Sequence, residues 1–336
     1  TAAARSALAT ARMGRETLLV TLSENTIGTL SCNPAIGGIG KGQLTREIDA
    51  LGGAQGCITD LTGLHYRMLN TSKGEAVQSL RAQVDKDQYS TQMRNLIARQ
   101  PHLRVLEGSV EDIHIEAGSV AGVKLADGSI VGARKVILTN GTFLRAVMHV
   151  GESISEGGRV GEGAVRQLTG ALGALGLETG RLKTGTPPRL DRSSIDWDQL
   201  EVQQPDPDPQ GFSHWSTLPR REWMNCHVTR TNESVHDVIR KHLHRSPIYS
   251  GQIEGVGPRY CPSIEDKVVR FPDRDGHTVH LEREGLSSDS VYVNGISTSL
   301  PAEVQELLVA RIKGLEKARF LRHGYAVEYD FFPPHQ

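Results

Sequence analysis

The sequence predicts an α/β fold, and three features carry that expectation. Apolar runs of strand length alternate with segments whose apolar residues recur at helical spacing. A glycine-rich turn at residues 31–42 (SCNPAIGGIGKG) opens directly into one of those helices. Short strand-like runs crowd into residues 104–131, with Asp127-Gly128 as a hairpin turn.

In chain order, the first element is a helix that packs through Ala4, Leu8, Ala11 and the stem of Arg12. Gly14 ends it, and Thr17 to Thr21 continues as a short buried strand. This opening stretch is Ala- and Arg-rich, as a transit peptide would be, but its periodicity suits a packed helix better. A dinucleotide-binding fold would place a strand and a G-x-G-x-x-G turn ahead of that helix. The chain instead opens inside the helix, as a truncated chain would. The glycine turn feeds a helix over residues 42–51, with Leu44, Ile48 and Leu51 as its buried face and Gly52-Gly53 as its stop. Tyr89, Met93, Leu96 and Ile97 trace another helix within 83–99 that ends before Pro101. Strands follow at 104–106, 112–115, 120–125 and 129–131. A buried apolar strand at 136–139 then runs into Asn140-Gly141-Thr142. PDPDP at 205–209 reads as a stiff linker or exposed loop into a second unit at roughly 200–285. Pro301 opens a last helix with Val304, Leu308, Ile312 and Leu315 on one face, closed by Gly324.

Composition excludes several classes. A length of 336 residues with 38% hydrophobic and 23% charged content describes an ordinary globular chain of about two domains. Net charge is −1, so nucleic-acid contact requires a local basic patch. No apolar run approaches the roughly 18 residues that span a bilayer. Four cysteines, none in a C-x-x-C pair or at zinc spacing, suit a reducing compartment with one or two working thiols.

Three clusters could carry chemistry. Gly37, Gly38, Gly40 and Gly42 let backbone N–H groups approach a ligand, and the helix that follows adds a field suited to an anion, a Cys32 thiolate included. The segment RLKTGTPPR places Arg181, Lys183 and Arg189 around a rigid turn, a pattern that suits phosphate or RNA backbone as readily as it suits a charged surface loop. In GPRYCPSIEDKVVRF, Cys261 lies between Arg259 and Lys267 with prolines on both sides, as an activated or a structural thiol. His65 has no evident partner. No Ser-His-Asp order, H-E-x-x-H, Walker loop or zinc pattern occurs.

SCNPAIGGIGKG, EIDALGG, LTNGTFL, RLKTGTPPR, GPRYCPSIEDK and NGISTSLP together resemble the GidA/MnmG family of tRNA uridine 5-carboxymethylaminomethyl modification enzymes. The motifs run in order along nearly the whole chain. The resemblance implies an FAD-binding Rossmann-like domain (residues 1–199, with its first strand and glycine loop missing). It also implies an inserted, smaller α+β NAD-interacting domain (200–285) and a return to the FAD-binding domain (286–336, incomplete). It implies the cofactors FAD and NADH, methylenetetrahydrofolate as one-carbon donor, and glycine or ammonium. The substrate would be the wobble uridine of tRNA, and the partner a GTPase of the MnmE type whose docking domain is absent here. A homodimer, no membrane, and a cytoplasmic location (mitochondrial matrix in a eukaryote) go with it.

By the same resemblance Cys32 and Cys261 match the two catalytic cysteines. Gly257, Pro258, Arg259, Tyr260 and Lys267 fall in the nicotinamide segment, and Val110 matches a flavin-contacting valine. Asn140, Gly141 and Thr142 join the glycine loop at the cofactor. The pattern departs at Ala3, where a glycine belongs, at Glu75 for proline and at Arg230 for histidine. A folate- and flavin-dependent tRNA uridine methyltransferase and a non-catalytic tRNA-binding fragment are the alternative readings.

Overall fold

The computed structural model describes residues 2–219, 221–258 and 261–336. In chain order it contains α1 (Ala2–Arg12), β1 (Thr17–Thr21), β2 (Ala35–Gly37), α2 (Gly42–Ala50), α3 (Ala54–Thr62), β3 (Gly63–Leu69), β4 (Ser79–Val84), α4 (Lys86–Ala98) and β5 (Leu103–Glu107). There follow β6 (Val110–Glu116), β7 (Ser119–Leu125), β8 (Ile130–Gly132), β9 (Val147–Val150), β10 (Ser153–Glu156), α5 (Gln167–Ala174), β11 (Gly180–Thr186), β12 (Arg189–Asp191), β13 (Glu201–Gln203) and β14 (Cys226–Arg230). The chain continues with α6 (Glu233–His242), α7 (Ile264–Arg270), β15 (Thr278–Arg283), β16 (Ser290–Asn294), α8 (Ala302–Val309), β17 (Phe320–Arg322) and β18 (Tyr325–Phe331). The fold is a mixed α/β arrangement whose chain divides into two compact units. One holds Thr1–Glu107, Glu201–Val228 and Leu281–Val291, the other Gly108–Leu200, Thr229–His280 and Tyr292–Gln336.

In the first unit α1 buries Ala4, Ala7, Leu8 and Ala11, and β1 pairs in parallel with β5. Strands β2, β4 and β3 form an antiparallel sheet with β4 in the middle. The core joins Leu8, Leu19, Tyr66, Val84, Tyr89, Met93, Ile97 and Phe212. Each large side chain of this kind contributes roughly 1.5–3 kcal/mol of transfer free energy. Two expectations change here. Helix α4 starts at Lys86 rather than near Gln83, because Asp85 caps it by accepting from the Gln88 amide at 3.0 Å. Helix α2 exposes the face read as buried: Leu44 is 55% and Leu51 90% exposed, while Thr45 and Asp49 face inward. The PDPDP stretch is an irregular, partly exposed loop held to β3. The Asp206 amide donates to the Tyr66 carbonyl at 2.9 Å, and the Met68 amide donates to Asp206 Oδ2 at 2.6 Å.

In the second unit β6, β7 and β8 make the expected meander, and both the amide and hydroxyl of Ser129 donate to Asp127 at its turn. A four-stranded antiparallel sheet runs β10-β9-β18-β11, with β11 and β18 in register over seven pairs from Gly180↔Phe331 to Thr186↔Tyr325. Met148, Tyr325 and Val327 centre its core. Residues 136–139 are not a strand: Ile137 and Leu138 are exposed, and no ladder there satisfies the backbone, which is what makes a strand. Helix α8 ends at Val309, and Gly314 turns the chain at φ +82°. Ile312 and Leu315 are still fully buried, but from turns. Gly324 closes no helix, since β17 intervenes.

Candidate functional site

In the first unit the glycine turn is built from β2 and the start of α2. The Gly38 amide donates to the Leu80 carbonyl, and the Gly38 carbonyl accepts from the Gly42 amide (2.8 Å) and from Ser79 Oγ (2.6 Å). Gly37, Gly38 and Gly40 hold φ of +84°, +95° and +70°, where a side chain is strained. They divide by what surrounds them. A Cβ on Gly37 would lie 2.3 Å from the Leu80 carbonyl oxygen and 2.5 Å from Phe212, and one on Gly42 would lie 2.5 Å from Ser79 Oγ. Gly38 and Gly40 have nothing within 4 Å. Two glycines therefore permit close packing, and two border open space; Cys32, in the same turn, is half-buried and in no disulfide.

Behind this turn lies a polar face that sequence reasoning missed. Asn33 Oδ1 accepts from Arg81 at 3.2 Å, and the same guanidinium nitrogen donates to buried Glu282 at 2.7 Å. His65 on β3 stands opposite Gln83 on β4, and both are buried. His65 Nδ1 donates to the Met224 carbonyl at 2.8 Å, which leaves Nε2 as an acceptor; that Nε2 and Gln83 Oε1 have no partner. Burial holds the imidazole below its ordinary pKa. The alternation of polar residues at 65, 67, 81 and 83 was the available signal.

A second buried polar set pins residues 212–215 over α2 and α3. Asp60 accepts the amides of Phe212 (2.9 Å) and Ser213 (2.8 Å), and Asp49 accepts the amide (2.6 Å) and Nδ1 (3.1 Å) of His214. Cys57 Sγ lies 3.0 Å from Ser213 Oγ. Cys226 is buried, and that burial, with the charge of Glu282 second, pushes its thiol up to about 12.

In the second unit three of the sequence motifs meet. Cys261, half-buried and free, directs its thiol at the Gly185 carbonyl at 3.6 Å, and the Lys183 amide donates to the Val256 carbonyl at 3.0 Å. The Ile264 amide donates to the Ser297 carbonyl at 2.7 Å, and Lys267 Nζ to the Gly295 carbonyl at 2.8 Å. Burial lowers the pKa of that ammonium. Tyr329 on β18 is pushed up by burial and then by the charge of Cys261. Helix α7 is fixed at its start by a capping box between Ser263 and Asp266. Next to it Glu265 is fully buried. Its Oε1 accepts from Thr298 Oγ1 (3.0 Å) and the Ser299 amide (3.2 Å), its Oε2 has no partner, and burial raises its pKa.

Of the remaining expected site residues, Gly257 and Pro258 lead into the Cys261 turn, where the Cys261 amide donates to the Pro258 carbonyl. Arg259 and Tyr260 lie outside the described residues. Val110 begins β6, half-buried. Asn140, Gly141 and Thr142 form a separate turn, in which Thr142 Oγ1 donates to the Gly158 carbonyl at 3.0 Å. The cations expected to meet RNA are paired or buried. Arg181 is bound by Glu328 (2.9 Å) and Asp330 (2.8 Å), and Lys183 is 3% exposed. Arg189 is 4% exposed, donates to Thr186 Oγ1 and the Pro187 carbonyl, and lies over the Tyr292 ring. Lys183 and Arg189 are thus buried, and Arg181, its side chain 27% exposed, is held by two carboxylates.

Comparison with known proteins adds a direct result. The profile of the glucose inhibited division protein A family matches residues 1–336. A tRNA uridine 5-carboxymethylaminomethyl modification enzyme MnmG of Rhodopirellula baltica is 50% identical, with 100% of this chain and 53% of that protein covered. One of the same name from Thermodesulfovibrio yellowstonii is also 50% identical, with coverages of 100% and 54%. The solved structure of Aquifex aeolicus GidA in its form I crystal superposes with a TM-score of 0.93 at 46% identity, covering 98% of this chain and 56% of that one. The chain thus spans about half the length of the curated relatives it matches. Among the described residues, no helix is long and apolar enough to cross a membrane, and no group of side chains could hold a metal ion.

Proposed function

The chain belongs to the glucose inhibited division protein A family, and we propose that it is the catalytic half of a flavin-dependent enzyme that modifies C5 of the wobble uridine in tRNA. The observation that carries this reading is the whole-length family match; Cys32 and Cys261 are half-buried and in no disulfide, whereas Cys226 is sealed. FAD suits Gly38 and Gly40, whose positive-φ backbone borders open space. Bound there, it supplies redox chemistry, with NADH as reductant and methylenetetrahydrofolate as one-carbon source. Residues 200–285 are assigned as the NADH-interacting insertion, with Gly257, Pro258 and Lys267 among its contacts. Val110 and Asn140-Gly141-Thr142 are assigned to the flavin.

The protein's own part is nucleophilic. A thiolate at Cys32 or Cys261 adds to C6 of the uracil, forming an S–C6 bond and moving the pair of the C5–C6 double bond toward C5 and the C4 carbonyl. C5 then attacks the methylene carbon of the folate donor, and one of its two C–N bonds breaks with the pair going to nitrogen. Loss of the C5 proton with departure of the thiolate restores the ring, so the thiol is regenerated. The amine of glycine or ammonium displaces the remaining folate nitrogen from the methylene, and the proton that the amine loses passes to that nitrogen. A GTPase partner of the MnmE type, a homodimer and a cytoplasmic setting belong to the same proposal. The test uses the full-length protein with FAD, NADH, the folate donor and tRNA, read by mass spectrometry of the nucleosides. Cys32→Ser and Cys261→Ser should each abolish the modified uridine while the flavin absorbance persists. Full modification by both variants would refute the thiol role, and no modification by the unaltered protein would refute the reading itself.

A further inference from the structure

With Lys183 and Arg189 buried and Arg181 paired with two carboxylates, the second unit presents other, unpaired cations at its surface. Arg230, at the end of β14, and Arg270 and Arg274, around the end of α7, are exposed. Among the described residues none of the three, nor Lys267, pairs with a carboxylate. Arg230 Nη2 donates only to the Gly276 carbonyl at 3.1 Å. The Arg274 guanidinium lies 5.9 Å from the centre of the Phe271 ring, which is 52% exposed. Asp273 and Asp275 flank Arg274 but are exposed and make no such pair.

The support under this patch is rigid. The His277 amide donates to Thr231 Oγ1 at 2.8 Å, and the Thr231 amide to the His277 carbonyl at 3.0 Å, so β14 and the 271–277 turn are locked together. The His277 ring lies 5.4 Å from that of His236, and its Nε2 is buried without a partner. Burial, then the charges of Lys267, His236, Arg274 and Arg230, drive the His277 pKa down to about 4. Arg230 and Arg274 thus bring positive charge to the surface around His277, where Phe271 also presents its ring.

We propose that Arg230, Arg270, Phe271 and Arg274 form a contact for single-stranded RNA, in which the guanidinium groups meet successive phosphates and a base stacks on Phe271. A dinucleotide pyrophosphate fits this surface less well. Arg270, Phe271 and Arg274 lie at the C-terminal end of α7, where carbonyls rather than N–H groups point outward. The inference rests on the RNA-modifying reading above and assigns part of its substrate contact.

The experiment measures tRNA binding by the full-length flavin-loaded protein over a series of salt concentrations. Replacing both Arg230 and Arg274 by Gln should weaken binding and reduce the slope of log K against log salt by about 0.7–0.9 for each phosphate that is no longer neutralised. Phe271→Ala should weaken binding about 5- to 150-fold with the slope unchanged, and Phe271→Tyr should restore it. Circular dichroism and the melting temperature report folding of each variant. If the unaltered protein binds tRNA and the double variant keeps its slope, the patch is wrong while the tRNA reading stands. If the variants change NADH affinity instead, the surface belongs to a dinucleotide and the proposal fails. If the unaltered protein does not bind tRNA, both readings fall together.

Discussion

Substituting Gly37 by Ala separates the two demands on the glycine turn. The added methyl must adopt φ +84°, a left-handed backbone that costs about 1–2 kcal/mol for an L-residue. It would also sit 2.3 Å from the Leu80 carbonyl oxygen and 2.5 Å from Phe212, a ring with 0% exposure. Neither neighbour yields easily: the first is main chain of β4, and the second is core. Overpacking of this kind adds about 1–3 kcal/mol. Gly37→Ala should therefore lose about 2–5 kcal/mol in all. Gly38→Ala and Gly40→Ala, at φ +95° and +70° with nothing within 4 Å, should lose only the backbone cost of about 1–2 kcal/mol. Urea unfolding of the three variants, compared at a common m value, measures the difference. The site reading adds a crossed expectation in the full-length protein. Gly38→Ala and Gly40→Ala, mild in stability, should reduce flavin affinity, because the space their methyl groups enter is the space assigned to the cofactor. If Gly37→Ala is no less stable than Gly38→Ala, the packing argument is refuted.

Other outcomes follow from buried groups. Glu265→Ala leaves the Thr298 hydroxyl and Ser299 amide without their acceptor and should cost about 1–3 kcal/mol more than Glu265→Gln, as calorimetry can determine. Glu265 holds its proton more tightly folded than unfolded. Its contribution is thus full below the unfolded value near 4.5 and is lost as pH rises through the raised folded value, so the stability gap between wild type and Glu265→Gln should shrink over that window. A pH-independent gap would contradict this. Cys226, with its thiol near 12 and its side chain sealed, should resist iodoacetamide at pH 8 while Cys32 and Cys261 are labelled; peptide mass mapping distinguishes them.

What the sequence determined by itself was local and periodic. The Ala4-Leu8-Ala11 stripe gave helix α1, the Tyr89-Met93-Ile97 stripe gave α4, and Asp127-Gly128 gave the β7–β8 hairpin. In each case the signal lies within a few residues, although the core that covers the two helices is built from distant ones. The six motifs likewise identified the family, since a motif is a local string. Tertiary structure decided the rest. A stripe at helical spacing shows that α2 is amphipathic but not which face will be covered. Asp49 turned inward because the amide and ring nitrogen of His214, 165 residues away, needed its carboxylate. His65 found its partner in the Met224 carbonyl, 159 residues on. Residues 136–139 carry strand-like composition, but a strand requires a neighbour to receive its hydrogen bonds, and composition does not supply one. Arg181, Lys183 and Arg189 look alike as cations in a row. Whether each faces water or a buried carboxylate was settled only when β11 met β18 in register and brought Glu328 and Asp330 to Arg181. Charge is written in the chain, but the dielectric and the counter-charge around it come from residues far away in sequence.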